Sequence, residues 1–357
     1  MKKVLVFGAT GAMGLPLVKI LSKNPDWQVF GTSRNKREIE NINWLQGNAH
    51  DLSWIKTLLD NNSFDAIVDF FNYSTNCFNE RYEYLLSHTN HYIFTSSARV
   101  YAINDGEIDE KSNRILDICT DEDYLLNDSY DLAKARQEDL LNRSKYNNFT
   151  IIRPSLTYNN NRLQFTIFEK DEWLHRILDG NSMVFPCEIE KIRTTMSYGN
   201  DVAYAISKLL LSNKAVGETF NICGGGSLSW GEVLGVYISS IEKEMQKKIK
   251  VKKILNVEET SKKLNRYYQY RYARGVDRIF TNKKIESVIG PIKWTTIEEG
   301  LSRCIHEFFL NGANINTPPF PVVAYLDRLT NEHTPLSRFN SFKQKTGFVL
   351  SRFGLYR

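Results

Sequence analysis

Two residues of this chain, Tyr130 and Lys134, have the types and the spacing that proton transfer to a hydroxyl group requires. Side chains four positions apart lie on the same face of a helix, so the lysine ammonium can lower the pKa of the phenol. A phenol whose pKa lies near neutrality is a usable general acid or base. Alone, such a pair is usually a solvated helix face; together with the glycine-rich segment described next, it predicts redox chemistry at a carbon that carries a hydroxyl group.

A glycine-rich segment near the N-terminus indicates where a nucleotide would bind. An apolar strand over residues 4–7 leads into three glycines spaced three residues apart, and a helical pattern follows them. The first glycine would make a tight turn, the second would let the backbone approach phosphate, and the third would permit close helix–sheet packing. N–H groups at the helix N-terminus would bind the pyrophosphate. The residues expected at this turn are Gly8, Thr10, Gly11, Ala12, Met13 and Gly14.

The elements that must position these groups alternate between strand and helix patterns. Strands are predicted near residues 3–8, 27–32, 43–46, 65–70, 91–96 and 149–153, with a last strand at 219–223 after a helix at 200–213. Such alternation predicts an α/β fold built on a Rossmann-type, doubly wound parallel sheet with a smaller C-terminal substrate lobe. Because the carboxyl ends of parallel strands line the ligand crevice, Ser96 and Ser97 would lie near the nicotinamide.

With these features the chain resembles the extended short-chain dehydrogenase/reductase family, in which nucleotide-sugar epimerases, dehydratases and reductases are found. The resemblance covers about residues 1–310. Its matching segments, in family order, are the glycine turn, Gly47 to Asp51–Leu52, Ser96–Ser97, Tyr130 with Lys134, Arg153–Tyr158, Asn200–Ala203 and Phe220–Ile222. The chain is therefore expected to be an NAD(P)-dependent enzyme.

The resemblance also implies roles for individual residues. Ser97 would hold the substrate hydroxyl, Tyr130 would carry the proton, and Lys134 would tune Tyr130 and bind the ribose. Further cofactor contacts are expected from Asp51, Leu52, Phe70, Phe71, Asn72, Ser96, Pro154 and Ser155. For Asp51 an alternative is that its side chain caps the following helix. Substrate contacts are expected from Ser97, Arg99, Trp173, Arg193 and Arg274, the last two of which could meet a diphosphate or be surface charges.

The choice of cofactor depends on the end of the second strand, where Ser33 and Arg34 stand. NAD-preferring proteins place an acidic residue there, whereas an arginine can accommodate the extra phosphate of NADP. No acid precedes Arg34 in this segment. We therefore expect NADP(H), with NAD as the alternative, although a solvent-facing basic loop would look the same.

The reaction type depends on the residues that follow Ser97. In the resembled family, 4,6-dehydratases and decarboxylases carry acidic residues there, but this chain has Ala98 and Arg99. Elimination of water needs an acid and a base beyond the tyrosine, so oxidoreduction or epimerisation of a nucleotide-activated sugar is expected. The alternatives are a non-catalytic NADP(H)-binding sensor or scaffold and a reductase of a non-sugar carbonyl compound.

Composition limits the class of protein. The chain has 357 residues and 42% hydrophobic residues, which suffices for two lobes. Five scattered cysteines fit a reducing cytoplasm and give no metal-ligand spacing, and no segment approaches a membrane span. We expect a cytoplasmic homodimer without bound metal or nucleic acid. The predicted Rossmann domain is 1–155, completed by about 196–223; the substrate lobe is 156–195 and 224–310, and 311–357 is a basic extension.

The basic extension ends in a segment without acidic residues. From residue 338 onward it carries five cations, Arg338, Lys343, Lys345, Arg352 and Arg357, beside apolar Phe339, Phe342, Val349, Phe353 and Tyr356. This spacing predicts an amphipathic basic helix. It could dock on its own chain, on a second subunit, or on a membrane surface or another partner. We expect residues beyond about 314 to be dispensable for chemistry.

Overall fold

A computed structural model describes residues 1–355 and divides them into two compact units. The first unit comprises Met1–Thr157, Thr195–Gly226 and Arg278–Thr296, and the second comprises Tyr158–Thr194, Ser227–Asp277 and the chain from Ile297 onward. The predicted division assigned 224–310 to the second lobe and 311–357 to a separate extension. In the structure 278–296 lies in the first unit, and the extension lies in the second.

A seven-stranded parallel sheet forms the centre of the first unit. Its strands are β1 (Lys2–Phe7), β2 (Trp27–Ser33), β3 (Ile42–Gln46), β4 (Phe64–Asp69), β5 (Thr89–Thr95), β6 (Phe149–Pro154) and β11 (Thr219–Ile222). Their spatial order is β11-β6-β5-β4-β1-β2-β3, and all neighbours run parallel. The order reverses beside β1, as in a doubly wound sheet, so the predicted Rossmann-type fold is confirmed.

Helices cover both faces of this sheet because parallel strands are buried on both sides. The helices of the first unit are α1 (Gly14–Leu21), α2 (Leu52–Asp60), α3 (Thr75–Asn79), α4 (Tyr82–Ser87), α5 (Ile115–Ile118), α6 (Glu122–Leu125), α7 (Tyr130–Asn142), α9 (Gly199–Leu209) and α13 (Lys283–Ile289). One apolar core lies between the sheet and the helices α1 and α9, and another contains residues of α2, α3 and α4.

The second unit is mainly helical. Its helices are α8 (Lys170–Leu178), α10 (Trp230–Met245), α11 (Val257–Lys263), α12 (Tyr267–Gln269), α14 (Ile297–Leu310), α15 (Phe320–Thr330) and α16 (Phe342–Arg352). Its short strands are β8 (Met183–Pro186), β9 (Arg193–Thr194), β12 (Leu228–Ser229) and β13 (Val251–Ile254). A further two-stranded sheet, formed by β7 (Leu156–Tyr158) and β10 (Met196–Tyr198), belongs to the first unit except for Tyr158. Among residues 1–355, no helix has the length and apolar character needed to cross a bilayer.

The C-terminal extension folds onto its own unit. Arg176 of α8 is fully buried, and its guanidinium donates to Asp327 of α15 at 2.6 Å and to Glu332 at 2.7 Å. Arg338 binds Asp179. On α16, Phe348 is buried while Phe342 and Phe353 are exposed. The docking on its own chain that was one alternative is therefore present. Two residues of the predicted basic helix, Tyr356 and Arg357, lie outside the described residues.

Candidate functional site

The glycine turn between β1 and α1 has the backbone geometry that a phosphate site needs. Gly8 has φ +73°, a left-handed conformation that residues with a Cβ rarely adopt. The N–H of Gly11 donates to the Gly8 carbonyl at 3.0 Å and closes the turn. A Cβ on Gly14 would collide with the same carbonyl, so only glycine lets α1 begin so close to β1. This cradle fits a dinucleotide pyrophosphate.

The start of α1 leaves backbone donors available. Met13 occupies the N-cap position, and no side chain within the described residues caps this helix. A helix N-terminus without a cap presents N–H groups and the positive end of the helix dipole to an anion. Thr10 is exposed at the same turn, and Ala12 is partly buried beside it. The predicted turn residues therefore lie together at one end of α1.

The end of β2 carries the residues expected to select the cofactor. Ser33 is the last residue of the strand, and its hydroxyl accepts the N–H of Asn35 at 3.2 Å. Arg34 is exposed, and within residues 1–355 its guanidinium has no ion-pair partner. A guanidinium in this position can bind a phosphate without first breaking an internal ion pair.

Asp51 has a structural role that the sequence left as an alternative. Its carboxylate accepts the N–H groups of Ser53 at 2.9 Å and Trp54 at 3.3 Å, so it caps α2, which starts at Leu52. The carboxylate is exposed. A contact from Asp51 to the adenine would have to coexist with this cap.

The loop after β4 connects the glycine turn with the predicted catalytic helix. The N–H of Phe70 donates to the Phe7 carbonyl at 3.2 Å, so the loop starts beside the end of β1. The carbonyl of Phe71 accepts the ammonium of Lys134 at 3.0 Å. Asn72 is exposed next to them. The three predicted residues of this loop therefore lie where the turn and α7 meet.

Lys134 is buried in the first turn and a half of α7, which begins at Tyr130. Its residue exposure is 2%, and its ammonium lies 4.7 Å from the ring centroid of Phe94. Burial lowers the pKa of Lys134 to about 8, while the carboxylates of Asp69 and Glu138 oppose the change. Burial of a charged lysine without a direct carboxylate contact destabilises the folded state. Such perturbed groups are typical of functional sites. Tyr130 is half-buried one turn before it.

Ser96 and Ser97, which follow β5 with Ser97 in extended conformation, have different environments. The Ser97 hydroxyl accepts the N–H of Arg99 at 3.2 Å and caps a short 3₁₀ helix, Ala98–Val100. The Ser96 hydroxyl instead donates to the buried Glu138 at 2.5 Å. Successive strand residues point to opposite faces, which explains the difference. Ser96 was expected beside the nicotinamide through its hydroxyl, but the structure commits that hydroxyl to Glu138.

Arg99 connects the serine segment to α7. Its guanidinium carbon lies 5.2 Å from the ring centroid of Tyr130, and its Nη2 lies 3.2 Å from a carboxylate oxygen of Asp131. Asp131 is fully buried. These contacts place the 3₁₀ helix that Ser97 caps against the start of α7. The structure therefore brings Ser97, Tyr130 and Lys134 to the same end of the sheet.

The last predicted cofactor residues follow β6. Pro154 is buried at the end of the strand, and the hydroxyl of Ser155 lies 2.5 Å from that of Ser197. The Ser197 hydroxyl also accepts the N–H of Gly224 at 2.9 Å. Ser155 is half-buried, so part of it remains available to a ligand.

The substrate residues predicted in the second unit differ in accessibility. Trp173 is 1% exposed and donates its indole N–H to the Leu163 carbonyl at 2.9 Å, so its side chain lies in the core and its substrate contact stays a prediction. Arg193 is half-buried and its Nε donates to Ser227 at 3.0 Å. Arg274 is 6% exposed and its Nη2 lies 3.4 Å from Gln164.

Two acidic residues near the site were missed in the sequence. Asp69 is 1% exposed, and its carboxylate accepts the Tyr92 hydroxyl and the Phe71 N–H, both at 2.9 Å. Burial raises its pKa. Glu138 is fully buried and binds Arg153 through two bonds. The sequence did carry a signal for each of these residues. Asp69 is an acid at the end of a mostly apolar strand, Phe64–Asp69, and Glu138 is an acid one helical turn beyond Lys134.

Comparison with known proteins agrees with this geometry. Residues 4–223 match the model of a family described as the NAD dependent epimerase/dehydratase family. No curated protein matches the chain in sequence. Eight solved structures that resemble it share 14–18% identity with it, a level that shows a common fold only.

Three of those structures are enzymes solved with a nicotinamide cofactor. A dTDP-glucose 4,6-dehydratase from Bacillus anthracis in complex with NAD has a TM-score of 0.66 at 16% identity, over 88% of this chain and 99% of its own. WbmH from Bordetella bronchiseptica, with NAD+, gives 0.65 at 14% over 87% and 99%. A UDP-glucuronic acid 4-epimerase from Bacillus cereus, with UDP-glucuronic acid and NAD, gives 0.63 at 16% over 86% and 99%.

Proposed function

Because this chain belongs to the NAD-dependent epimerase/dehydratase family, we propose that it is an NADP(H)-dependent epimerase or reductase that acts on a nucleotide-activated sugar. One observation carries the proposal: the buried ammonium of Lys134 donates to the loop that adjoins the glycine turn, one helical turn from Tyr130. This arrangement joins a proton-transfer group to a phosphate cradle within a single unit.

Each catalytic residue would have a distinct task. Ser97 would orient the substrate hydroxyl, and Tyr130 would take or return its proton. Lys134 would bind the ribose of the cofactor, as the resemblance implies. A bound nicotinamide would exchange hydride with the carbon that carries this hydroxyl. Gly8, Gly11 and Gly14 would hold the pyrophosphate of the cofactor.

The surroundings of Ser97 favour oxidoreduction over elimination. Ala98 is 3% exposed and has no acidic group, and Arg99 supplies a cation at the next position. Dehydration would need a second acid–base pair near the reacting carbon. Asp131, the carboxylate beside Tyr130, is fully buried and bound to Arg99 and Ser129. These features support a reductase or an epimerase.

The preference for NADP(H) is supported by Arg34. Its exposed guanidinium follows β2, where a bound dinucleotide would present its adenosine ribose. Neighbouring structures were solved with NAD, so NAD is the alternative cofactor. The proposal of a nucleotide sugar is supported by the neighbour solved with UDP-glucuronic acid. Arg193 and Arg274 stay predictions for diphosphate binding.

The central experiment is a single substitution in the proton-transfer group. Tyr130→Phe removes the hydroxyl and keeps the ring that Arg99 contacts. We expect turnover to fall at least ~100-fold, because general acid–base catalysis contributes about that factor or more. Binding of NADPH, measured by fluorescence, should stay within about twofold. A variant that keeps a tenth or more of the activity would refute the role of Tyr130.

A second measurement separates the candidate functions. Mass and absorbance analysis of nucleotide that copurifies with the protein is expected to show a retained dinucleotide for an epimerase and an exchanging one for a reductase. A non-catalytic sensor or scaffold would bind the dinucleotide but turn over no nucleotide sugar, and a reductase of another carbonyl compound would reject nucleotide sugars altogether. These are the two alternatives to the proposal.

The proposed assembly is a homodimer in the cytoplasm, and both features stay predictions. The two ends of α16 support a further contact, because Phe342 is 83% exposed beside Lys343 and Phe353, which follows the helix, is 72% exposed beside Arg352. Exposed aromatic residues next to cations suit a second subunit or an anionic membrane surface. A subunit contact would persist at high salt, whereas attraction to anionic vesicles would be screened.

A further inference from the structure

The guanidinium of Arg99 has donors that its own chain does not use. It contacts the carboxylate of Asp131 through Nη2 alone, at 3.2 Å. Its Nε is buried and has no hydrogen-bond partner. Within the described residues Nη1 has no partner either, and the side chain remains 22% exposed. Arg99 is therefore held beside Tyr130 with part of its hydrogen-bonding capacity unfilled.

Another arginine–carboxylate pair in the same unit shows what an ion pair with two hydrogen bonds looks like. Arg153 binds Glu138 through two bonds, at 2.8 and 2.6 Å, which is the usual bidentate geometry of an arginine and a carboxylate. Asp131 makes only the single contact with Arg99 and also accepts the Ser129 hydroxyl at 2.8 Å. The pair of Arg99 and Asp131 thus leaves room for a second acceptor on the guanidinium.

A second cation increases the positive potential at this place. Arg278 is 5% exposed, and its guanidinium donates to the carbonyls of Tyr101 and Ala102 at 3.0 and 3.1 Å. Burial and the nearby charge of Arg99 lower the pKa of Arg278 to about 10. Arg99 and Arg278 are two positive charges near a single carboxylate, that of Asp131. Because like charges repel, an anion that binds near them is stabilised.

We propose that Arg99 binds a carboxylate of the substrate sugar, so that the substrate is a nucleotide-activated uronic acid. This inference rests on the proposed function, because it requires a sugar at Tyr130. The reacting hydroxyl must lie within about 3 Å of the Tyr130 hydroxyl. An anion bound by Arg99 must lie about 3 Å from its guanidinium. The guanidinium carbon lies 5.2 Å from the centroid of the Tyr130 ring, a separation small enough for one sugar ring to reach both residues.

The test compares two nucleotide sugars that differ only in this group. UDP-glucuronic acid carries a carboxylate where UDP-glucose carries a hydroxymethyl group. With the full chain loaded with NADP, calorimetry is expected to show at least ~10-fold tighter binding of UDP-glucuronic acid, as a charge-assisted hydrogen bond provides. Arg99→Gln should remove this advantage and leave the affinity for UDP-glucose within about twofold, while Arg99→Lys should keep part of it.

Control variants separate binding from folding. Arg99→Gln leaves Asp131 buried without its cation, so the double variant Arg99→Gln/Asp131→Asn removes both charges and should show the same loss of discrimination. Arg143→Gln, an exposed arginine at the end of α7, should change nothing.

The outcomes that overturn the inference differ from those that overturn the proposed function. Equal affinity of the wild type for the two sugars would overturn the carboxylate assignment alone. Equal weakening of both sugars by Arg99→Gln would show that Arg99 meets the diphosphate, and would overturn it as well. If the wild type bound neither of these sugars and no dTDP-glucose either, the proposed function itself would be wrong and the inference would be overturned with it.

Discussion

Replacement of Lys134 by methionine is expected to abolish activity and to stabilise the fold. Burial lowers the pKa of Lys134 from 10.5 to about 8. One pKa unit corresponds to ~1.36 kcal/mol, so the protonated side chain destabilises the folded state by roughly 3 kcal/mol at pH 7. Methionine has a similar length and carries no charge. Lys134→Met should therefore raise the free energy of unfolding by up to that amount.

The free energy of unfolding should depend on pH in a direction that the pKa of Lys134 fixes. The folded-state pKa lies below the unfolded value, so the unfolded chain binds the proton more readily between pH 8 and 10.5. The penalty is complete below pH 8 and is lost as the pH rises toward 10.5. The stability difference between variant and wild type should consequently fall by about half between pH 7 and pH 9.5. Urea unfolding at the two pH values measures it.

An exposed lysine provides the matched control for this prediction. Lys243→Met changes an exposed lysine and should alter stability by less than about 0.5 kcal/mol at either pH. If Lys134→Met were less stable than the wild type at pH 7, the attraction of Asp69 and Glu138 would outweigh the burial penalty. A stability difference that did not change with pH would show that the charge of Lys134 is not its cause.

Further expected outcomes concern the cofactor and the extension. Arg34→Ala should weaken NADPH roughly ten- to a hundredfold more than NADH in fluorescence titrations, since a charge-assisted bond is worth ~1.5–3 kcal/mol; equal weakening would refute the NADP preference. Truncation after Asn314 should lower the free energy of unfolding by ~3–5 kcal/mol in urea, because the buried Arg176 would lose Asp327. An equally stable truncated protein would show that this ion pair does not contribute to stability, and Lys343→Ala serves as the control.

The sheet could be predicted from the sequence because its signals are local. Each strand is a short apolar run, and the glycine turn requires residues without a Cβ at fixed positions. Gly14 illustrates this, since a Cβ there would meet the Gly8 carbonyl six residues earlier. The predicted strand bounds differ from the structure by two residues or fewer. Local steric requirements therefore made most of the sheet predictable from the sequence.

The docking of the extension had no comparable signal. The ion pair between Arg176 and Asp327 joins residues 151 positions apart, and neither residue has an unusual neighbourhood in the sequence. The apolar and basic spacing predicted a helix from about residue 338, and the structure has one over Phe342–Arg352, but this spacing does not say which surface covers the helix. Trp173 shows the same difficulty, because a tryptophan on a helix has the same local pattern in a core and at a binding surface.

Helix α7 shows why the candidate site was only partly predictable. The spacing of Tyr130 and Lys134 placed both on one face, yet Asp131 and Glu138 of the same helix are also fully buried. Each finds its partner outside the helix: Asp131 in Arg99, Glu138 in Arg153, and Lys134 in the Phe71 carbonyl. Three buried charges on one helix cost stability unless such partners are positioned for them. The serine segment, the loop after β4 and the end of β6 are thereby held against α7, and such fixed partners are the rigid support that the proposed proton-transfer role of Tyr130 would require.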